Sequence, residues 1–173
     1  MKIALAIERS LDVPANYEQA RQLLHDVEGT IRRFPKLHSL KKIGESDYLS
    51  EMNPMGARAL GISHRVSYAA RYAVDHGNGL LRWEPLRKHG NAQIGGKFQL
   101  SKTGGGTRLT FGVNGELDEV PVPLMYRLLA PAFIQGKFTR LVDIFLEQTH
   151  AALLALPAAE QKSPRKRATG NRK

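Results

Sequence analysis

The chain has 173 residues, about one domain's worth, long enough to bury roughly 70% of the surface its unfolded form exposes. It contains no cysteine, which excludes disulfides, thiolate metal sites and a cysteine nucleophile, and no apolar run approaches the ~20 residues of a membrane span. The net charge is +10, but half of that excess sits between Pro157 and Lys173, where six basic residues face only Glu160.

The elements follow in chain order. Met1 to Ile7 is apolar but is cut by Glu8-Arg9, too short for a signal-peptide core, so a reducing cytoplasm is expected. Residues 2–12 alternate, with Ile3, Leu5 and Ile7 on one side, which is strand period. Pro14 ends that strand, and Asn16 is a suitable cap for a helix over Tyr17–His25. A second short helix over Val27–Phe34 stops before Pro35. Strands are predicted over Leu37–Ile43 and Tyr48–Met52 around Gly44-Glu45-Ser46-Asp47, a turn by composition. Asn53-Pro54-Met55-Gly56 then reads as a loop or bulge reaching Gly61.

The longest clean alternation follows, with Val66, Tyr68, Ala70, Tyr72 and Val74 on one face. Turns at His76-Gly77-Asn78-Gly79, His89-Gly90-Asn91 and Thr103-Gly104-Gly105-Gly106 separate three further strands over Leu80–Leu86, Ile94–Leu100 and Leu109–Leu117. Seven strands result, and their short turns require antiparallel pairing. From Leu124 to Leu156 the period is helical, with Ile134, Phe138, Leu141, Phe145, Thr149 and Ala152 on one stripe. Pro131 either starts the main helix or kinks a longer one. Residues 157–173 are polar, basic and rich in small residues, and are read as a disordered tail.

This order defines an α+β fold. A seven-stranded antiparallel sheet curls, and its buried face needs a cover. The C-terminal helix is the one element long enough to supply it. A curved sheet around one helix leaves space at the open end, where an apolar ligand fits.

Three stretches carry a family resemblance. They are Val13-Pro14-Ala15-Asn16-Tyr17-Glu18 running through His25-Asp26 to Phe34-Pro35, then Gly105-Gly106-Thr107-Arg108-Leu109-Thr110-Phe111, and Pro121-Val122-Pro123-Leu124 before the long helix. In this order and spacing they resemble the START-like helix-grip (SRPBCC) superfamily, nearest its polyketide cyclase/dehydrase and coenzyme Q-binding branches. The resemblance covers residues 1–156. It implies a helix-grip domain with a ligand cavity, and brings no shared catalytic signature. Its members include lipid carriers, quinone-binding proteins, cyclases and hydrolases, so fold does not fix function.

Tyr68, Tyr72, Trp83, Phe98 and Phe111 share the inward parity of four consecutive strands. Met125 and Phe133 are expected to face them from the helical segment. These seven are the candidate ligand-binding residues; singly each is a core filler, and together they can enclose a flat or chain-like apolar ligand. Arg71, Arg82 and Glu84 have the opposite parity and read as cross-strand charge partners. His64 and Arg65 open a strand near the cavity mouth, and His64 reads as a surface histidine before a proton-transfer group. Asp143 is expected on an exposed helix face beside Arg140 or Glu147.

No catalytic residue, metal site or cofactor is assigned. The six histidines include no His-x-x-x-His pair, there is no Gly-x-Ser-x-Gly elbow, and Gly104-Gly105-Gly106-Thr107 lacks the Gly-Lys-Ser/Thr ending of a phosphate loop. Arg32, Arg33, Lys36, Lys41 and Lys42 lie in an acid-free stretch. With the tail they form a candidate contact for an anionic membrane or RNA, without the aromatic interleaving that base stacking uses. The expected function is binding of a hydrophobic small molecule or lipid, quinone-like by the resemblance. The alternatives are a cyclase or dehydratase in the same cavity, and an RNA or membrane interaction protein.

Overall fold

Ile3, Leu5 and Ile7 are buried and Ala4, Ala6 and Glu8 exposed, so strand period sets the inner face from the first element onward. A computed structural model describes residues 1–57 and 62–156; the expected tail over 157–173 lies outside them. The chain runs β1 (Ile3–Val13), α1 (Tyr17–His25), α2 (Val27–Arg32), β2 (Leu37–Lys42) and β3 (Asp47–Met52). It continues through β4 (Met55–Ala57), β5 (Ile62–His64), β6 (Ser67–Asp75), β7 (Leu80–Gly90), β8 (Ala92–Thr103) and β9 (Gly106–Leu117) to α3 (Ala130–Leu154).

Seven strands form one antiparallel sheet in the order β1-β9-β8-β7-β6-β3-β2. The expected seven-stranded sheet and covering C-terminal helix are therefore present. The loop expected over 53–61 instead begins a hairpin, in which Met55 pairs with His64 and Ala57 with Ile62 as a separate two-stranded sheet.

Local chemistry sets the boundaries. Asn16 Oδ1 accepts from the Glu18 amide at 2.7 Å, and Asp26 Oδ1 accepts from the Gly29 amide at 2.8 Å, so one carboxylate ends α1 and caps α2. Asp75 Oδ1 accepts from the Gly77 and Asn78 amides, both at 3.1 Å, which folds the β6–β7 turn.

The sheet parts beyond Trp83. The β7–β8 ladder runs only from Leu80↔Gln99 to Trp83↔Gly96. Past it, Gly90 at the end of β7 pairs with Tyr68 on β6, while Ala92 at the start of β8 pairs with Leu117 on β9. Asn91 joins the two halves: its side chain accepts from the Ser67 amide and donates to the Arg65 carbonyl, each at 2.8 Å.

Helix α3 lies across the concave face. It starts at Ala130 with Pro131 in its first turn, where a missing N–H costs nothing. The expected helix over 124–129 is instead a 3-10 turn at Leu124–Tyr126 followed by a further turn. The buried stripe of α3 includes Phe138, Leu141, Phe145 and Thr149, and it closes on Leu153, where Ala152 was expected. Two contacts fasten α3 to the edge strand. Gln135 exchanges hydrogen bonds with the Ala6 backbone, and Asp143 pairs with Arg9 at 3.1 Å. Asp143 thus bridges to β1 and forms no pair with Arg140 or Glu147. Among the described residues no helix is long and apolar enough to cross a membrane.

Candidate functional site

Two cavities lie between the sheet and α3, with Val66 and Phe138 common to both walls. The inner one has a volume of about 60 Å³, room for a few water-sized molecules. Tyr68, Tyr72, Trp83, Phe98 and Phe111 line it from the sheet, facing Ile31 and Phe34 near α2 and Phe145 on α3. The rings largely fill this space themselves. Centroids stand 6.0 Å apart for Tyr72–Trp83, 5.3 Å for Trp83–Phe111 and 4.8 Å for Phe111–Phe145, all within aromatic contact range. Burial pushes the Tyr68 and Tyr72 phenols up, Tyr72 further, so both keep their protons at neutral pH.

The outer cavity is larger, about 270 Å³, and almost wholly apolar. It sits at the open end of the sheet. Met55 and His64 bring the small hairpin to one wall, and Val120 and Val122 form another. Leu129, Ala130, Phe133 and Ile134 supply the helical side. The segment holding Val120 is anchored by the N-terminus, since the Met1 amine donates to the Val120 carbonyl at 2.8 Å and the Val120 amide donates back to Met1. This volume approaches the lower end of small-molecule sites, about 300 Å³.

The seven sequence-predicted residues therefore divide. Five aromatics come together around the inner cavity. Phe133 lines the outer one, apart from them. Met125 lines neither and is 78% exposed. The expectation that it faces the aromatics fails because residues 124–129 are out of register with α3.

His64 was read chiefly as a surface histidine. It stands half-buried in the outer cavity wall, and its Nε2 is buried without a hydrogen-bond partner. Burial first, and the N-terminal amine's charge second, hold the imidazole below its ordinary value of 6.5, so it is neutral at physiological pH. Lys137 reaches the same cavity, with its Nζ 5.3 Å from the Phe133 ring centroid. Sequence reasoning missed Met55, Val120, Val122 and Leu129, because their role arises only when the hairpin and the β9–α3 connection meet. The one signal was the apolar Val120-Pro121-Val122-Pro123-Leu124 run.

The charged candidates stay outside the cavities. Arg71 crosses to Asp47 on β3 with two bonds of 2.7 and 2.9 Å, and Arg82 and Glu84 are exposed. Arg32 pairs with Glu28 on its own helix, and Arg33 folds inward to donate to Thr30 at 2.7 Å. Lys36, Lys41 and Lys42 are exposed and line neither cavity, with Lys42 Nζ 5.9 Å from the Tyr48 ring centroid. Among the described residues no cluster of three or more His, Asp or Glu side chains is placed to hold a metal ion.

No family model matches the sequence, and no curated protein matches it. Solved structures do. TTHA0849 from Thermus thermophilus superposes with a TM-score of 0.62 at 21% identity, covering 88% of this chain and 97% of that one. A START superfamily protein from Mycobacterium smegmatis gives 0.63 at 10% identity over 88% and 99% of the two chains. The Zhui aromatase/cyclase from a Streptomyces species gives 0.60 at 11% identity over 87% and 94%. At such identities the likeness establishes fold alone, and the fold is a START-like helix-grip.

Proposed function

We propose that the protein binds a hydrophobic small molecule or lipid, quinone-like or acyl-like, with the outer cavity as its principal site. The observation that carries this reading is the apolar space of about 270 Å³ at the sheet's open end, beside an inner cavity that aromatic rings nearly fill. Apolar contact supplies the affinity, and His64 and Lys137 orient the ligand's polar end. The likeness to a START superfamily protein and to an aromatase/cyclase supports a ligand-holding role for this space.

Titration with a fluorescent fatty acid tests it. Binding is expected to saturate at one probe per chain. Ala130, buried in the outer wall, is the position to fill. Ala130→Leu is expected to weaken probe binding by about tenfold or more while costing less than ~1 kcal/mol of stability, because the added methyl groups enter a void. A wild-type protein that takes up no apolar probe would overturn the proposal.

A further inference from the structure

The described residues expose seven large apolar side chains, and five of them fall between Leu124 and Phe133: Leu124, Met125, Leu128, Leu129 and Phe133. Leu128 is 95% exposed. These side chains project from hydrogen-bonded turns. The Tyr126 amide donates to Pro123, Arg127 to Leu124, Leu129 to Tyr126 and Phe133 to Leu129. A fixed, outward-facing apolar segment of this kind marks an interaction surface.

Its charge says what it meets. From Val120 to Val142 the sequence has no acid and three bases, Arg127, Lys137 and Arg140, all exposed. None of the three forms an ion pair among the described residues. Of the flanking acids, Asp118 is held by Lys2 at 3.1 Å and Asp143 by Arg9 at 3.1 Å, leaving Glu119 as the nearest free carboxylate in sequence. Apolar tips with a cationic surround match an anionic bilayer surface, where leucine and phenylalanine enter the acyl boundary and each basic residue adds about fivefold to partitioning. A two-fold dimer through the same face would set these bases against their own copies.

We infer that the Leu124–Phe133 segment is a membrane-docking face, inserting its apolar side chains into an anionic lipid surface. This surface is distinct from the basic stretch around Lys41 and Lys42. Leu129 and Phe133 also line the outer cavity, so docking sets that cavity's mouth against the bilayer.

Flotation of the full chain with phosphatidylcholine vesicles, and with vesicles of phosphatidylcholine mixed with phosphatidylglycerol, tests the inference without any cavity ligand. Binding is expected to the anionic vesicles and to be much weaker to the neutral ones. Leu128→Glu, at a position with almost no contacts to lose, is expected to keep the wild-type melting temperature and to reduce binding at least about tenfold. Arg127→Glu is expected to reduce the preference for anionic vesicles. Three results overturn the inference: no binding to either vesicle, undiminished binding of Leu128→Glu, or a wild-type dimer by light scattering that Leu128→Glu converts to monomer. The second assigns membrane contact to other basic segments, and the third makes this face a self-association surface.

Discussion

Trp83 owes its position to a residue with no side chain. Gly96 is its cross-strand partner, and a Cβ built on Gly96 would stand 2.5 Å from the indole Cζ2 and strike the Gly112 carbonyl. The indole therefore lies over bare backbone. Gly96→Ala is expected to cost ~1–3 kcal/mol, the range for overpacking a tight site, and to shift the emission of this single tryptophan. Denaturant melts with fluorescence detection check both effects, and an unchanged spectrum would place the indole elsewhere. His64 gives the second expectation at this scale. Its folded value is lowered chiefly by burial, so the unfolded chain binds the proton more readily. Its contribution is thus intact above 6.5 and is lost as pH falls from there through the lowered value. Thermal melts should show wild-type stability declining through that window, and His64→Gln declining less. The depressed carboxylates of Asp12, Asp47 and Asp75 act below 3.8, outside the window, and His25, also lowered by burial, accounts for a remaining slope. Equal slopes for the two proteins would mean that His64 is solvated.

At the scale of elements, the sequence is most legible where one periodicity runs uninterrupted. β1, β6, β8 and β9 alternate over long stretches, and the aromatic parity on four strands is a direct consequence of that alternation. α1 was readable from its cap, because Asn16 satisfies an amide that the helix leaves free, and α2 from its stop before Pro35, whereas the Asp26 cap on α2 emerges only in the structure. The β4–β5 hairpin was not readable. Its strands have three residues each, and Pro54 and Gly56 are loop signals that tertiary pairing overrides. The start of α3 failed for the opposite reason. Leu124, Met125, Leu128 and Leu129 recur at helical spacing, yet that spacing serves an exposed surface, and the helix proper begins at Ala130 with Pro131 in its first turn. Met125 was misplaced for this reason. The outer cavity was the least legible feature, since its walls come from two segments far apart in sequence, residues 55–66 and 117–138. Met1 anchors Val120, and the hairpin brings in His64.

For the whole molecule, the question is where the space between sheet and helix lies. Parity alone points to the aromatic face, but there the rings of Tyr72, Trp83, Phe111 and Phe145 meet in sequence and leave about 60 Å³. The remaining room lies toward the open end, beyond Val66 and Phe138. Two substitutions of the same chemistry separate these regions. Ala70 is fully buried between Tyr68 and Tyr72 and lines neither cavity, so Ala70→Leu forces three carbons into packed surroundings and should cost ~1–3 kcal/mol. Its effect on fatty-acid affinity should be small, because the outer walls are untouched. Ala130→Leu should do the reverse, holding stability and losing affinity. Chemical denaturation and probe titration on both proteins give four numbers that test the assignment together. If Ala70→Leu loses affinity while remaining stable, the aromatic face is the binding site and α3 stands further from the sheet than the ring contacts indicate. If both proteins lose stability and bind as wild type does, neither space takes a ligand, and the helix-grip fold here serves its exposed surface alone.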